Sequence, residues 1–303
     1  MSMAMVEEIK RLKREKKALV LAHHYQEREI KEVADFVGDS LELAGIAANS
    51  SEPILVVCGV SFMAETAKIL SPDKKVLLPN VMAGCPMADM VTVERLREEK
   101  ARFPQAKVVC YVNSSAAVKA ESDICCTSSN AVSIVKGLPD QEILFVPDQN
   151  LGSYVALSVP EKTVHLWKGF CPTHHRVEVE AVKVMKAAYP NAKVMAHPEC
   201  RPEILEAVDF IGSTAQLVQY AKAASNQSFI VGTEKGILDI LKSDSPQKSF
   251  ELLSEELVCP NMKKTTLMDV LKVLQTGANQ VEIESEVREK AYVAIQRMLD
   301  VSK

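Results

Sequence analysis

Apolar residues in this chain come in short runs that end in polar groups, and the runs recur. Leu19-Val20-Leu21-Ala22 leads into His23-His24-Tyr25, Val108-Val109-Cys110 into Tyr111-Val112-Asn113-Ser114, and Val194-Met195-Ala196 into His197-Pro198-Glu199. Continuous apolar runs of this length predict strands buried on both faces. A short helical stretch follows each, then a second apolar segment at 35–40, 123–128 and 209–214. The interval from His23 to Asp35, Tyr111 to Asp123 and His197 to Asp209 is 12 residues in every copy. Helices are predicted to begin near Leu41, Asn130 and Ala215, behind small hydroxylated residues that suit N-caps. Third strands are predicted at 54–57, 143–146 and 228–231, each followed by a helix and a fourth extended run.

The fourth run leads each time to a Cys-Pro pair. Cys85-Pro86, Cys171-Pro172 and Cys259-Pro260 are separated by 86 and 88 residues. From His23, Tyr111 and His197 the distances to these cysteines are 62, 60 and 62 residues. The linkers repeat too, as Phe103-Pro104-Gln105-Ala106-Lys107 and Tyr189-Pro190-Asn191-Ala192-Lys193. Agreement at several offsets marks an internal repeat. Alternating strands and helices imply parallel β-α-β units with helices on both sheet faces. The expected architecture is α/β, in three small domains spanning 1–105, 106–192 and 193–303. After Cys171, the residues Val177, Ala181, Val184 and Ala188 predict one apolar helix face. The segment from Val281 onward has no counterpart in the repeat and is expected to be a closing helix.

Composition narrows the function. The 303 residues carry a net charge of −4, which argues against a general nucleic-acid surface. No apolar run approaches membrane-spanning length, and 1–17 reads as a charged helix without a signal-peptide core. A soluble, cytoplasmic protein is expected. Eight cysteines in such a chain favour metal or redox chemistry over disulfides.

If the three copies pack around a pseudo-threefold axis, Cys85, Cys171 and Cys259 converge. Three thiolates suit a [4Fe–4S] cluster and leave one iron open to a substrate oxygen. A zinc site of three cysteines with an open position, or three inert thiols in duplicated turns, are the alternatives. The repeat also makes His23, Tyr111 and His197 equivalent, and likewise Tyr25, Asn113 and Glu199. Strand ends are where parallel sheets place ligand groups, so these six are candidate donors, acceptors and acid–base groups. His24 alternates away from His23. His174 and His175 follow a candidate ligand, and could equally support it or face solvent. Ser40, Ser128, Ser213 and Thr214 lie where helices begin, positions that cap a helix and can bind carboxylate or phosphate. An iron–sulfur synthase, a non-catalytic redox sensor and a zinc hydrolase are the function classes these residues allow.

Over nearly its whole length the chain resembles the quinolinate synthase family. The resemblance rests on Leu21-Ala22-His23-His24-Tyr25-Gln26, Ala34 to Ser40, Cys85-Pro86-Met87-Ala88, Tyr111-Val112-Asn113-Ser114, Thr127-Ser128-Ser129-Asn130, His197-Pro198-Glu199-Cys200, Gly212-Ser213-Thr214, Gly232-Thr233-Glu234 and Cys259 to Lys264. It implies three homologous three-layer αβα domains around a pseudo-threefold axis. It implies condensation of iminoaspartate with dihydroxyacetone phosphate to quinolinate, in de novo NAD biosynthesis and in partnership with L-aspartate oxidase. Cys85, Cys171 and Cys259 would hold a [4Fe–4S] cluster. His23, Ser40, Tyr111, Asn113, Ser128, Ser213 and Thr214 would hold substrate carboxylates or phosphate. His197 and Glu199 would bind substrate and serve in proton transfer, with Tyr25 near the reacting centre.

Overall fold

The computed structural model describes residues 3–301. Residues 1–2 and 302–303, the outer ends of the first and third expected segments, lie outside the described residues. The first sheet is built from β1 (Ala18–His23), β2 (Phe36–Gly38), β3 (Ile54–Cys58) and β4 (Lys75–Leu77). The second contains β5 (Lys107–Tyr111), β6 (Ile124–Cys126), β7 (Glu142–Val146) and β8 (Thr163–Leu166). The third contains β9 (Lys193–Ala196), β10 (Phe210–Ile211), β11 (Ser228–Gly232) and β12 (Ser249–Leu252). Each sheet has one order: second strand, first, third, fourth. The paired strands are parallel, as between Ala18–Ala22 and Ile54–Cys58. The fold is thus α/β, with three parallel four-stranded sheets flanked by helices.

Strand alternation sorts the core into layers. In the first sheet Val20, Ala22, Val56 and Cys58 pack with Ile9, Leu12 and Val270 from the helices Met3–Lys16 and Leu267–Thr276. In the third, Val194, Ala196 and Ile230 face Val182 and Ile204, while Met195, Phe229 and Val231 face Leu217 and Leu241. The closing helix Ser285–Val301 packs against Ala116–Ala120 and Ser61–Leu70, burying Ala291, Ala294, Ile295 and Met298. The chain gathers into two compact units. One comprises Met1–Leu96, Val112–Cys125 and Pro260–Lys303; the other comprises Arg97–Tyr111 and Cys126–Cys259.

The constant 12-residue interval has a physical cause in the first and third sheets. Asp35 accepts from Val20 N–H at 2.7 Å and donates its own N–H to Val20 O at 2.8 Å. Asp209 does the same with Val194, at 2.8 Å for both bonds. Each aspartate therefore fixes where the short edge strand begins beside the first strand. A second repeated device is a lysine. Lys74, Lys162 and Lys248 reach the carbonyls that end the helices Ser40–Asn49, Ala131–Gly137 and Thr214–Ala223. Each is a cation at the negative end of a helix dipole, satisfying carbonyls left open by the helix.

One expected feature is corrected. The apolar face predicted from Val177, Ala181, Val184 and Ala188 forms only in part. Val177 lies in the connection before a helix that starts at Val179. Val177 and Ala181 do pack in the core, with Val179, Val182 and Met185, whereas Val184 is 57% exposed and Ala188 is exposed too. Counting periodicity from outside the helix rotated the stripe.

Lys248→Met removes two charge-assisted bonds, to Ala221 O and Ala224 O. A loss of about 1–2 kcal/mol is expected. It is read as a thermal midpoint a few degrees lower, with the far-ultraviolet spectrum unchanged.

Candidate active site

The centre of the second unit is a tight turn after β9. His197 N–H still pairs with Gly232 O of the neighbouring strand, at 3.1 Å. Two residues on, Glu199 N–H donates to His197 Nδ1 at 3.3 Å. Nδ1 is therefore an acceptor, and the ring proton sits on Nε2. Nε2 lies 3.1 Å from Ser128 Oγ. The first unit repeats this turn after β1, where Tyr25 N–H donates to His23 Nδ1 at 3.1 Å and the Tyr25 ring stands edge-on to the imidazole.

Glu199 is 4% exposed, and both carboxylate oxygens are engaged. Tyr111 Oη, at the end of β5, donates to Oε1 at 2.8 Å. His174 Nδ1 lies 2.8 Å from Oε2. The same nitrogen is 3.3 Å from Cys171 Sγ, and His174 Nε2 is 2.9 Å from Thr233 Oγ1. The His174 ring stacks on that of His197, with centroids 5.0 Å apart. Burial pushes the Glu199 carboxyl up. The His197 and His174 imidazoles, with the hydrogen bonds from His174 and Tyr111, more than offset this and hold it well below the usual carboxylate range. Burial lowers His197 to about 4 despite the neighbouring Glu199. At neutral pH the pair is thus a carboxylate and a neutral imidazole, and the 3.7 Å between His197 Nδ1 and Glu199 Oε2 is not an ion pair.

The Cys-Pro turns are held from beneath. Asp148 takes Cys171 N–H at 3.1 Å and the N–H groups of Asn150 and Leu151 at 2.8 Å each. Burial and the neighbouring Glu199 push the Asp148 carboxyl up, against those three bonds. Glu234 takes Cys259 N–H at 3.2 Å. Cys85, Cys171 and Cys259 are half-buried, while the other five cysteines are buried and none of the eight is in a disulfide. Burial pushes the Cys58 thiol up to about 12 and those of Cys126 and Cys200 well up, so these three are inert thiols at neutral pH.

Among the expected site residues, the structure joins Tyr111, Ser128, Cys171, His197 and Glu199 through these contacts. Ser213 caps the helix Thr214–Ala223, and its Oγ lies 2.7 Å from Ser129 Oγ. Buried Thr214 opens that helix. In the first unit, Ser40 opens the helix Ser40–Asn49 behind an Asp39–Glu42 capping box. His24 is buried beside it, with Nε2 3.8 Å from Glu42 Oε2. Asn113 and Cys85 are half-buried in the first unit as well.

The sequence left His174 open between support of Cys171 and solvent, and marked Asp148 and Thr233 only as polar residues beyond the third strands, with no specific role. The available signal for His174 was its spacing: three residues after Cys171, on a turn opened by Pro172, it lies over the thiol. No helix among the described residues is long and apolar enough to cross a membrane.

Comparison with known proteins agrees over nearly the full chain. The family described as quinolinate synthetase A protein matches residues 7–300. A quinolinate synthase of Alkaliphilus metalliredigens is 53% identical over 297 residues, covering 98% of each chain. One from Caldicellulosiruptor bescii is 51% identical over 294 residues, covering 97% of each. Quinolinate synthase 2 of Methanosarcina acetivorans is 53% identical over 296 residues, covering 98% of this chain and 95% of its own.

A buried histidine lowered to about 4 makes stability depend on pH. Between its ordinary value near 6.5 and 4, the unfolded chain binds a proton that the folded chain does not. Stability is therefore lost as pH falls through that window. From pH 7 to pH 5 the wild type should lose about 2 kcal/mol more than His197→Gln, measured by denaturant melts at both pH values. Equal losses in the two proteins would show that His197 is not held neutral.

Proposed function

The chain belongs to the quinolinate synthase family, and from that premise we propose that it condenses iminoaspartate with dihydroxyacetone phosphate. The products are quinolinate, phosphate and water, for de novo NAD biosynthesis. The observation that carries the reading is the sorting of the cysteines. The three in Cys-Pro pairs, one per repeat, are half-buried, and the remaining five are buried.

The donor set fits the cluster that this reaction implies. Cys85, Cys171 and Cys259 would be its thiolate ligands, and soft thiolates are what a [4Fe–4S] cluster takes. The buried acids Asp148 and Glu234 hold two of the three cysteine backbones by their N–H groups, which supports a fixed ligand geometry. When bound, a cluster with three thiolate ligands supplies an open iron as a Lewis acid for substrate oxygen or nitrogen.

The chain's own residues supply binding and proton movement. Neutral His197 offers its Nε2 proton, now directed at Ser128 Oγ, to a substrate carboxylate or phosphate oxygen. Ser128, Ser213 and Thr214 add hydroxyls, the last two at a helix N-terminus that favours anions. His23, Ser40, Tyr111 and Asn113 complete the set that binds carboxylate or phosphate. Ionised Glu199 is the proton acceptor. Its neighbours Tyr111 and His174 donate to it, which keeps the carboxylate ionised and fixes its orientation until it takes a proton. Tyr25 serves near the reacting carbon. Iminoaspartate hydrolyses in water, which favours supply from L-aspartate oxidase close by.

Protein purified without oxygen should hold about four iron and four acid-labile sulfide per chain, falling sharply in Cys171→Ser together with quinolinate formation. Zinc without sulfide in fresh wild-type protein would overturn the cluster assignment. Glu199→Gln keeps the shape of the side chain and removes the charge. It should retain wild-type iron and sulfide while quinolinate turnover falls about 100-fold or more. Full activity in that variant would remove Glu199 from proton transfer.

A further inference from the structure

Cys171, His174 and Glu199 also form a donor set of another kind. Cys171 Sγ, a ring nitrogen of His174 and a carboxylate oxygen of Glu199 all lie within 4.8 Å of one another. His174 Nδ1 faces both partners, at 2.8 Å from Glu199 Oε2 and 3.3 Å from Cys171 Sγ. The ring proton thus sits among a sulfur, a nitrogen and an oxygen. Tetrahedral zinc takes sulfur at about 2.3 Å and nitrogen or oxygen at about 2.0–2.2 Å, which places neighbouring ligand atoms roughly 3.4–3.6 Å apart. The two observed separations need to open by only about 0.3 and 0.6 Å to reach that spacing.

The surroundings match as well. A metal-binding histidine is usually held through its other nitrogen, and its carboxylate and thiolate companions are hydrogen-bonded in turn. Here Thr233 Oγ1 meets His174 Nε2 at 2.9 Å, Tyr111 Oη holds Glu199 Oε1 at 2.8 Å, and Asp148 holds the Cys171 backbone at 3.1 Å. A thiolate in the set disfavours magnesium and calcium, and sulfur, nitrogen and oxygen together suit zinc.

We propose that, in chains without a bound iron–sulfur cluster, Cys171, His174 and Glu199 form a zinc site with an open fourth position. The site rests on the proposed function only in that Cys171 cannot serve a cluster and zinc together. Binding releases the thiol proton of Cys171 to solvent. It moves the imidazole proton of His174 from Nδ1 to Nε2, where Thr233 Oγ1 accepts it. A chain that has lost its cluster is thereby held in a zinc form, and zinc must leave before the cluster is rebuilt.

The test uses cobalt(II) as the probe, titrated into the full-length chain after chelators have removed its iron. One cobalt per chain should bind, with a thiolate-to-cobalt charge-transfer band that one equivalent of zinc abolishes. Cys171→Ser should lose the band. His174→Ala should weaken binding at least about tenfold, and Thr233→Val by about 10–100-fold. No charge-transfer band in the wild type, or an unchanged band in Cys171→Ser, overturns the proposal, and these two proteins decide the matter if His174→Ala does not fold. Iron and sulfide analysis separates this failure from that of the cluster reading. His174→Ala that still loads iron and sulfide but has lost cobalt affinity supports the zinc site. Wild-type affinity in that variant overturns the zinc site and leaves the cluster untouched. Wild type that binds cobalt through Cys171 and His174 but never holds sulfide overturns the cluster and leaves the zinc site.

Discussion

The structure depends on how main-chain N–H groups are satisfied where strands begin and end. A buried N–H without a partner costs about as much as a lost hydrogen bond, so each strand terminus must find an acceptor. This chain uses side chains. Asp35 and Asp209 serve Val20 and Val194 where the edge strands begin. Asp148 and Glu234 serve Cys171 and Cys259. His23 and His197 serve the residues two places beyond them. The same requirement that closes the fold therefore orients the chemistry. An imidazole that accepts at Nδ1 must present its proton at Nε2, and a cysteine whose N–H is anchored has its main chain held in place.

A buried charge is the other organising fact. Glu199 stays ionised because Tyr111, His174 and His197 surround it. Removing one partner of a buried charge typically costs 3–5 kcal/mol, because the remaining charge is left uncompensated. The site is thus stable as a set and costly in part. Its field reaches Asp148, whose carboxyl is pushed up by burial and by Glu199 while three backbone N–H groups pull the other way.

Much of this was legible in the sequence, because the fold is periodic and repeated. Buried parallel strands read as apolar runs, and three matched copies placed them along the chain, whereas the order of strands within each sheet came only from the fold. Tyr111, Ser128, Cys171, His197 and Glu199 stood out as polar residues at strand or helix ends. Other parts were not legible. His174 gains its meaning from a turn that places it over Cys171 and from Thr233, which lies 59 residues further on. Lys74, Lys162 and Lys248 are exposed-looking lysines in sequence, and only the folded chain shows the carbonyls they reach. The helix after Cys171 misled because its apolar stripe was counted from a residue outside it.

The three repeats share their sheets but are not copied side chain for side chain. The chain breaks the symmetry residue by residue. Tyr25, Asn113 and Glu199 occupy one matched position, and only the last carries a charge at neutral pH. His23, Tyr111 and His197 occupy another, where a tyrosine takes the place of a third imidazole. The anchoring acids follow the same logic. Asp148 and Glu234 lie beneath the second and third Cys-Pro turns, whereas the matching stretch of the first repeat is Gly59-Val60-Ser61-Phe62, with no acid. The acids that hold the Cys-Pro turns thus belong to two of the repeats. At the matching positions the first repeat carries His23, Tyr25 and Ser40.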